Sequence, residues 1–304
     1  MNKKTHVAII GAGPAGLTAA IYLKRAMLDV TIIDKYAPGG KVNTTAHIEN
    51  YPGYELINGP ELATKMYEHA LSLGAEVSYG NVLKVDKVDE HFLVTTDEEV
   101  IEAAYVIVAS GTKERLLGVP GEETFTNRGV SYCAVCDGSF YKGEEVAVVG
   151  GGDAALEEAL YLATIVKKIY LIHRRQGFRA SAIIVDKVKS TPNIELVLDS
   201  VPLEIVGGKV VEGFKVQNIL SHEETLIPVK AVFPFIGQIP NTDFVQHLGI
   251  TTEAGFLLTN RELETPIKNL FGAGDCVDQN LRQIVVAAGD GAITALHIAK
   301  RSSL

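Results

Sequence analysis

Apolar residues fill two quartets along the chain, Val7–Ile10 and Val146–Val149, and glycines follow each, then Ala and Leu at helical spacing. An unbroken apolar run ending at a glycine turn predicts a strand buried on both faces of a parallel sheet; the periodicity after it predicts a helix. Written out, "VAIIGAGPAGLTAAIYL" (7–23) and "VAVVGGGDAALEEALYL" (146–162) align without a gap at an offset of 139, with nine of seventeen positions identical. One strand, turn and helix unit is therefore used twice. A second apolar run follows each copy, "DVTIID" after the first and "KIYLIH" after the second.

Two later runs, "VIVASG" from 106 and "AVFPFIG" from 231, end in glycine and lead into Gly/Pro-rich passages suited to crossings between domains. Beyond 243, "LFGAGDCVD" and "LRQIVVAAGDGAITALHIAK" predict a strand, an acid-bearing glycine turn and a closing helix. That tail is too small for a domain and completes the first one. The expected fold is α/β: two Rossmann-like three-layer nucleotide-binding domains, with residues 113–237 inserted between the halves 1–112 and 238–304. Two crossings on one side of an insertion would permit hinge rotation.

Each turn reads Gly-x-Gly-x-x-Gly/Ala, and its positions have separable tasks. In the stretch Gly11, Ala12, Gly13, Pro14, Ala15, Gly16, the first glycine makes the turn and the second lets the backbone approach a pyrophosphate. The third lets helix and strand pack closely, and the helix N-terminus faces the phosphate charge. Gly150, Gly152, Asp153 and Ala154 repeat the turn, with Ala155 in the place of Gly16. The ribose-reading position lies about twenty residues beyond the first glycine. Asp34 and His173 both stand 23 residues on, with different chemistry. Asp34 accepts ribose hydroxyls and repels a 2′-phosphate. His173, Arg174, Arg175 and Arg179, in "HRRQGFR", attract one, bidentately where geometry allows. Elsewhere such a run is a solvated basic turn; here it assigns NADPH to the second copy and a dinucleotide without the 2′-phosphate to the first.

Composition narrows the classes. The 304 residues suffice for two domains, and 47% hydrophobic residues with 29 glycines describe a globular chain rich in tight turns. A net charge of -9 argues against nucleic-acid binding and against a basic membrane surface. No apolar window reaches the ~18 residues of a spanning helix. The N-terminal basic and apolar residues resemble a secretory signal, but the glycines interrupt the run and no cleavage site is evident. A cytoplasmic protein is expected, with its thiols mostly reduced.

Against that background stands "SYCAVCDG", with Cys133 and Cys136 two residues apart and Asp137 directly after. Zinc needs three or four close ligands. The remaining cysteine, Cys276, is distant, and the nearest histidines along the chain are His91 and His173. No metal site is expected. A structural staple over so short a loop constrains little of the unfolded chain. A redox pair remains, and Asp137 is placed to move protons during thiol exchange, besides suiting an Asx-turn ahead of Gly138.

The ensemble "GAGPAG", "CAVCDG", "GGGDAA", "HRRQGFR" and "GAGDCVDQNLRQIVVAAGDGA" resembles, in this order and spacing, the low-molecular-weight bacterial thioredoxin reductases over essentially the whole chain. The resemblance implies FAD in the first domain, NADPH in the insertion, a homodimer, and rotation of one domain relative to the other. It places Lys35, Gly39, Gly40, Lys41, Asn50, Val82, Ser110, Gly111, Gly274, Asp275, Arg282, Gln283 and Ile284 about the flavin, beside the first glycine turn and Asp34. It makes Cys133 and Cys136 the disulfide that passes electrons to thioredoxin, with Asp137 supplying protons. The sequence departs from the family pattern at Asp34, where Glu is usual, and at Lys41, which replaces a Gln. Relatives fed by ferredoxin, and dithiol oxidases using oxygen, dispense with the basic cluster. A non-enzymatic redox sensor would need an effector module, which the chain does not offer.

Overall fold

The structure, a computed structural model, describes residues 3–45, 48 and 50–302. It divides into two compact units, Met1–Lys113 with Ile239–Leu304, and Glu114–Gln238.

The first unit opens with strand β1 (Lys3–Ile10), helix α1 (Pro14–Arg25) and strand β2 (Val30–Asp34). Helix α2 (Gly59–Ser72) and strands β3 (Glu76–Tyr79), β4 (Val82–Val88), β5 (His91–Thr96) and β6 (Val100–Val108) follow. The main path of the sheet runs β3-β2-β1-β6-β5-β4. Strands β1, β2, β3 and β6 are parallel, and the β4–β5 hairpin joins β6 antiparallel.

The crossing strand β7 (Thr112–Glu114) leads to the second unit. It holds a short helix α3 (Ala134–Asp137), strand β8 (Glu145–Gly150), helix α4 (Asp153–Ala163), strand β9 (Lys168–Ile172), helix α5 (Ala182–Ser190) and strand β10 (Ile194–Val197). Strands β11 (Ser200–Gly207), β12 (Val211–Asn218) and β13 (Glu224–Ile227) form an antiparallel sheet, and β14 (Ala231–Phe235) completes the parallel order β10-β9-β8-β14. The return crossing β15 (Gln238–Pro240) pairs with β7. The tail then supplies β16 (Leu270–Gly272), parallel to β6, and helix α6 (Ile284–Ser302). The insertion of one nucleotide-binding fold into another, expected from the size of the tail, is therefore the architecture observed.

Alternation along the strands explains the apolar quartets, because successive side chains point to opposite faces of a sheet. Val7 and Ile9 pack with α1 and α6, whereas Ala8 and Ile10 pack with β4, β5 and residues of 245–277. In the second unit Val146 and Val148 pack with α4, and Ala147 and Val149 with the antiparallel sheet. Both quartets are buried because both faces are covered. Close packing also accounts for Gly291 of the tail: a Cβ there would lie 2.2 Å from the Ala15 carbonyl oxygen, so only glycine lets α6 lie against α1 here.

Candidate active site

In the first unit the chain leaves β1 at Gly11, whose φ of +110° and position against Ala109 exclude a side chain. A Cβ on Gly16 would lie 1.9 Å from the Gly11 carbonyl oxygen, whereas one on Gly13 would meet nothing within 4 Å. Pro14 begins α1, no side chain caps that helix, and no acid stands in its first turn. The start of α1 therefore has no side-chain cap, and the space beside Gly13 is open. The Gly39 N–H donates to the Ala12 carbonyl at 2.7 Å, and Gly40 comes against the Gly13 backbone.

Asp34, at the end of β2, accepts N–H bonds from Ala12 at 2.5 Å and from Tyr36 at 2.8 Å. Its short side chain thus braces the glycine turn, and each oxygen keeps a lone pair for a ribose hydroxyl. On the other side, the Gly274 N–H donates to Asp290 at 3.0 Å, and the Gln279 side chain donates to the Gly274 carbonyl at 3.0 Å. Arg282 donates to the Asp275 carbonyl at 3.3 Å and lies 4.4 Å over the Phe256 ring. Gln283 accepts from Asn50 at 3.1 Å, and Ile284 packs beside Val42. Ser110 donates to the Asn241 carbonyl at 2.6 Å, and Gly111 has a φ of +65°. Lys41 donates to Thr112 at 2.8 Å. Lys35 is exposed over Tyr36, and Val82 packs against the buried cluster of β4 and β5. Cys276 is buried, with its thiol pushed up to about 11 by burial, as suits a packed residue.

In the second unit the turn at Gly150–Gly152 repeats this geometry. A Cβ on Gly150 would crowd Ala155 and the Phe235 carbonyl, while Gly152 is open and α4 is uncapped by a side chain. The basic loop is tied to this turn. The Arg179 N–H donates to the Gly151 carbonyl and the Ser181 N–H to Asp153, both at 2.8 Å. Arg174, Arg175 and Arg179 are exposed; Ala154 stands exposed in the first turn of α4. His173 has a different place from the one its sequence neighbours suggest. Its ring is buried over Gly151, stacks on Phe178 and bonds the Gly177 carbonyl at 3.1 Å. Burial, then the neighbouring arginine charges, lower its pKa from 6.5, so it is neutral near pH 7. The positive charge of the loop is carried by the three arginines alone.

Cys133 and Cys136 form a disulfide with Cα atoms 5.3 Å apart. Cys133 is the N-cap of α3, and its sulfur accepts the Cys136 N–H at 3.2 Å. Ser131 donates to Asp137 at 2.6 Å and accepts the Cys133 N–H at 3.2 Å, while its own N–H donates to Val232 of β14 at 3.1 Å. Glu122, 2% exposed, accepts the N–H groups of Leu117 and Gly118 at 2.8 Å each and the hydroxyl of Tyr132 at 2.9 Å. Burial and the Glu122 carboxylate raise the Tyr132 pKa, which keeps that hydroxyl a donor. Among residues flanking the pair, Tyr141 meets Phe233 edge-on at 5.8 Å and Phe140 is exposed. Among the described residues, no group of three His, Cys, Asp or Glu could hold a metal.

Sequence reading missed Ser131, Glu122, Asp290 and Glu158. Glu158 lies on α4 with one carboxylate oxygen buried and lacking a hydrogen-bond partner among the described residues. Burial, then the charge of Glu157, pushes its pKa up to about 7. The folded state therefore resists an ionisation whose midpoint in the unfolded chain lies near 4.5, and stability is lost as pH rises between the two values. Glu158→Gln should gain on the wild type by on the order of 2 kcal/mol between about pH 5 and about pH 8. Urea unfolding at both pH values checks this; a constant difference would count against it.

A dithiol-forming pair on one dinucleotide-binding unit, inserted into another, defines a nucleotide-dependent disulfide oxidoreductase. The family model described as pyridine nucleotide-disulphide oxidoreductase matches residues 5–291. A thioredoxin reductase of Mycoplasma pneumoniae is 46% identical over 294 residues, covering 96% of this chain and 93% of that protein. One of Bacillus subtilis is 43% identical, covering 97% and 93%. The crystal structure of thioredoxin reductase from Streptococcus pyogenes is 43% identical, superposes with a TM-score of 0.90, and covers all of both chains. The chain belongs to the pyridine nucleotide-disulphide oxidoreductase family, among its thioredoxin reductases. Such proteins use FAD and NADPH. The open faces of Gly13 and Gly152 above uncapped helix starts fit the diphosphates of two dinucleotides.

Proposed function

We propose that this chain reduces oxidised thioredoxin with electrons from NADPH. FAD is held by the first unit through the Gly11–Gly16 turn, Asp34 and the Gly274–Ile284 segment. NADPH is held by the insertion through the Gly150–Gly152 turn and the three arginines. The observation that carries the reading is the Cys133–Cys136 disulfide with Asp137 held beside it, on the unit that also bears the arginine loop. When bound, FAD supplies the chemistry that converts a hydride from NADPH into an electron pair for a disulfide.

The chain's own residues then govern thiol exchange. In the reduced pair the Cys136 N–H favours the Cys133 thiolate, which makes Cys133 the attacking sulfur. It attacks the partner disulfide, a mixed disulfide forms, and the departing thiolate takes a proton from the Asp137 carboxyl. The Asp137 carboxylate next removes the Cys136 proton, and Cys136 attacks the mixed disulfide at Cys133. The internal disulfide re-forms, the second departing thiolate takes that proton from the Asp137 carboxyl, and the partner leaves with two electrons and two protons. A homodimer in the cytoplasm completes the reading. It is supported by Val285, Ile293 and Leu296, exposed along one face of α6, and by the lack, among the described residues, of a helix able to cross a membrane.

The flavin assignment has its own test. Gly16→Ala should lose both flavin and thermal stability, because the new Cβ collides with the Gly11 carbonyl. Gly13→Ala should keep its fold and lose flavin alone, since its Cβ enters only the open face. Bound flavin per chain, with a melting curve, separates them; two variants retaining full flavin would contradict the assignment.

A further inference from the structure

Ser131 stands beside the redox pair, bonded to both Asp137 and Cys133. It is 5% exposed and fixed to the central sheet through its N–H to Val232. Its hydroxyl touches three groups of the redox loop: Asp137 Oδ2 at 2.6 Å, the Cys133 N–H at 3.2 Å and the Cys133 carbonyl at 3.3 Å. A hydroxyl has one proton to donate and two lone pairs to accept with. The two oxygens around Ser131 therefore compete for a single proton, and the state of Asp137 decides which receives it.

We propose that Ser131 is the positioning residue of the proton-transfer step, acting as a two-position hydroxyl that satisfies Asp137 in both of its protonation states. This rests on the reading of Asp137 as the acid and base of thiol exchange. While Asp137 is a carboxylate, the Ser131 hydroxyl donates to Oδ2 and holds it toward the pair. When Asp137 takes the proton of Cys136, its new O–H donates to the Ser131 oxygen and the serine proton turns to the Cys133 carbonyl. No heavy atom need move, and neither state leaves a half-buried oxygen without a partner. Return of the proton to a departing thiolate reverses both rotations. The Cys133 N–H stays bonded to the serine oxygen throughout, which ties the start of α3 to the same pivot.

Alanine at this position removes the pivot, whereas threonine keeps a hydroxyl. The test is rapid-quench exchange between the dithiothreitol-reduced, flavin-loaded protein and bis(2-hydroxyethyl) disulfide, whose departing alkyl thiolate needs a proton, across the neutral pH range. Ser131→Ala should slow exchange by about tenfold and shift the pH at which the rate levels off, and Asp137→Asn should slow it by about a hundredfold. The double variant should be no slower than Asp137→Asn alone, because the serine acts only through the carboxyl. Ser131→Thr should restore the wild-type rate within about twofold. Multiplicative losses in the double variant, a threonine variant as slow as alanine, or an unshifted pH profile would each overturn the proposal. Because the probe is a small disulfide, a protein that exchanges as described yet reduces no thioredoxin would fail only the substrate assignment. A wild-type profile in Asp137→Asn would sink the reading of Asp137 itself.

Discussion

Replacing either Cys133 or Cys136 with serine should abolish NADPH-dependent reduction of thioredoxin, with a loss of roughly 10³-fold or more, as when a nucleophile is removed. NADPH should still bleach the flavin in both variants. The two outcomes separate because the cysteines act after the nicotinamide has given up its hydride. In the proposed order Cys133 carries the mixed disulfide, so a serine there should leave nothing to attack the partner. Cys136 resolves it, so Cys136→Ser should trap a covalent adduct with thioredoxin, visible on a non-reducing gel and released by dithiothreitol. Loss of flavin bleaching in both variants would contradict the order of electron flow. An adduct trapped by Cys133→Ser instead would reverse the roles of the two sulfurs.

Neutralising Arg174 and Arg175 together should raise the KM for NADPH by on the order of 30-fold, about 1 kcal/mol for each arginine. Charge-assisted hydrogen bonds contribute about 1.5 to 3 kcal/mol each, and exposed arginines fall at or below the lower end. The KM for NADH should change little, because NADH lacks the 2′-phosphate. Replacing His173 by glutamine should do less than either arginine, since the ring is neutral and covers Gly151. Equal changes for the two nicotinamides would remove the phosphate from the assignment. A loss for His173→Gln as large as that for the arginines would mean the imidazole is charged when NADPH binds.

Much of this was readable in the residues. The glycine turns are local, so Gly11, Gly16 and Gly150 announce a strand-to-helix corner without help from the rest of the chain. The apolar quartets imply sheets covered on both faces, and the short tail implies completion of the first unit. Contacts that depend on tertiary approach were not readable. Asp290 looks like a polar interruption of an apolar helix, and only folding brings it to the Gly274 N–H. Glu158 follows another glutamate and reads as part of a solvated face, yet its carboxylate is turned inward. Ser131 is an ordinary serine until α3 folds Asp137 back over it. His173 stands in a basic run, and its neutrality comes from burial, which sequence neighbours do not reveal. Asp34 was read as a ribose acceptor; its shorter reach also makes it a brace for the Ala12 N–H.

Steady-state oxidation of NADPH by the flavin-loaded protein, with and without oxidised thioredoxin, tests the central claim most directly. Multiple turnovers should appear only when thioredoxin is present, with one dithiol formed for each NADPH consumed and far weaker activity with NADH. NADPH oxidation at the same rate without thioredoxin, with oxygen consumed in its place, would contradict it.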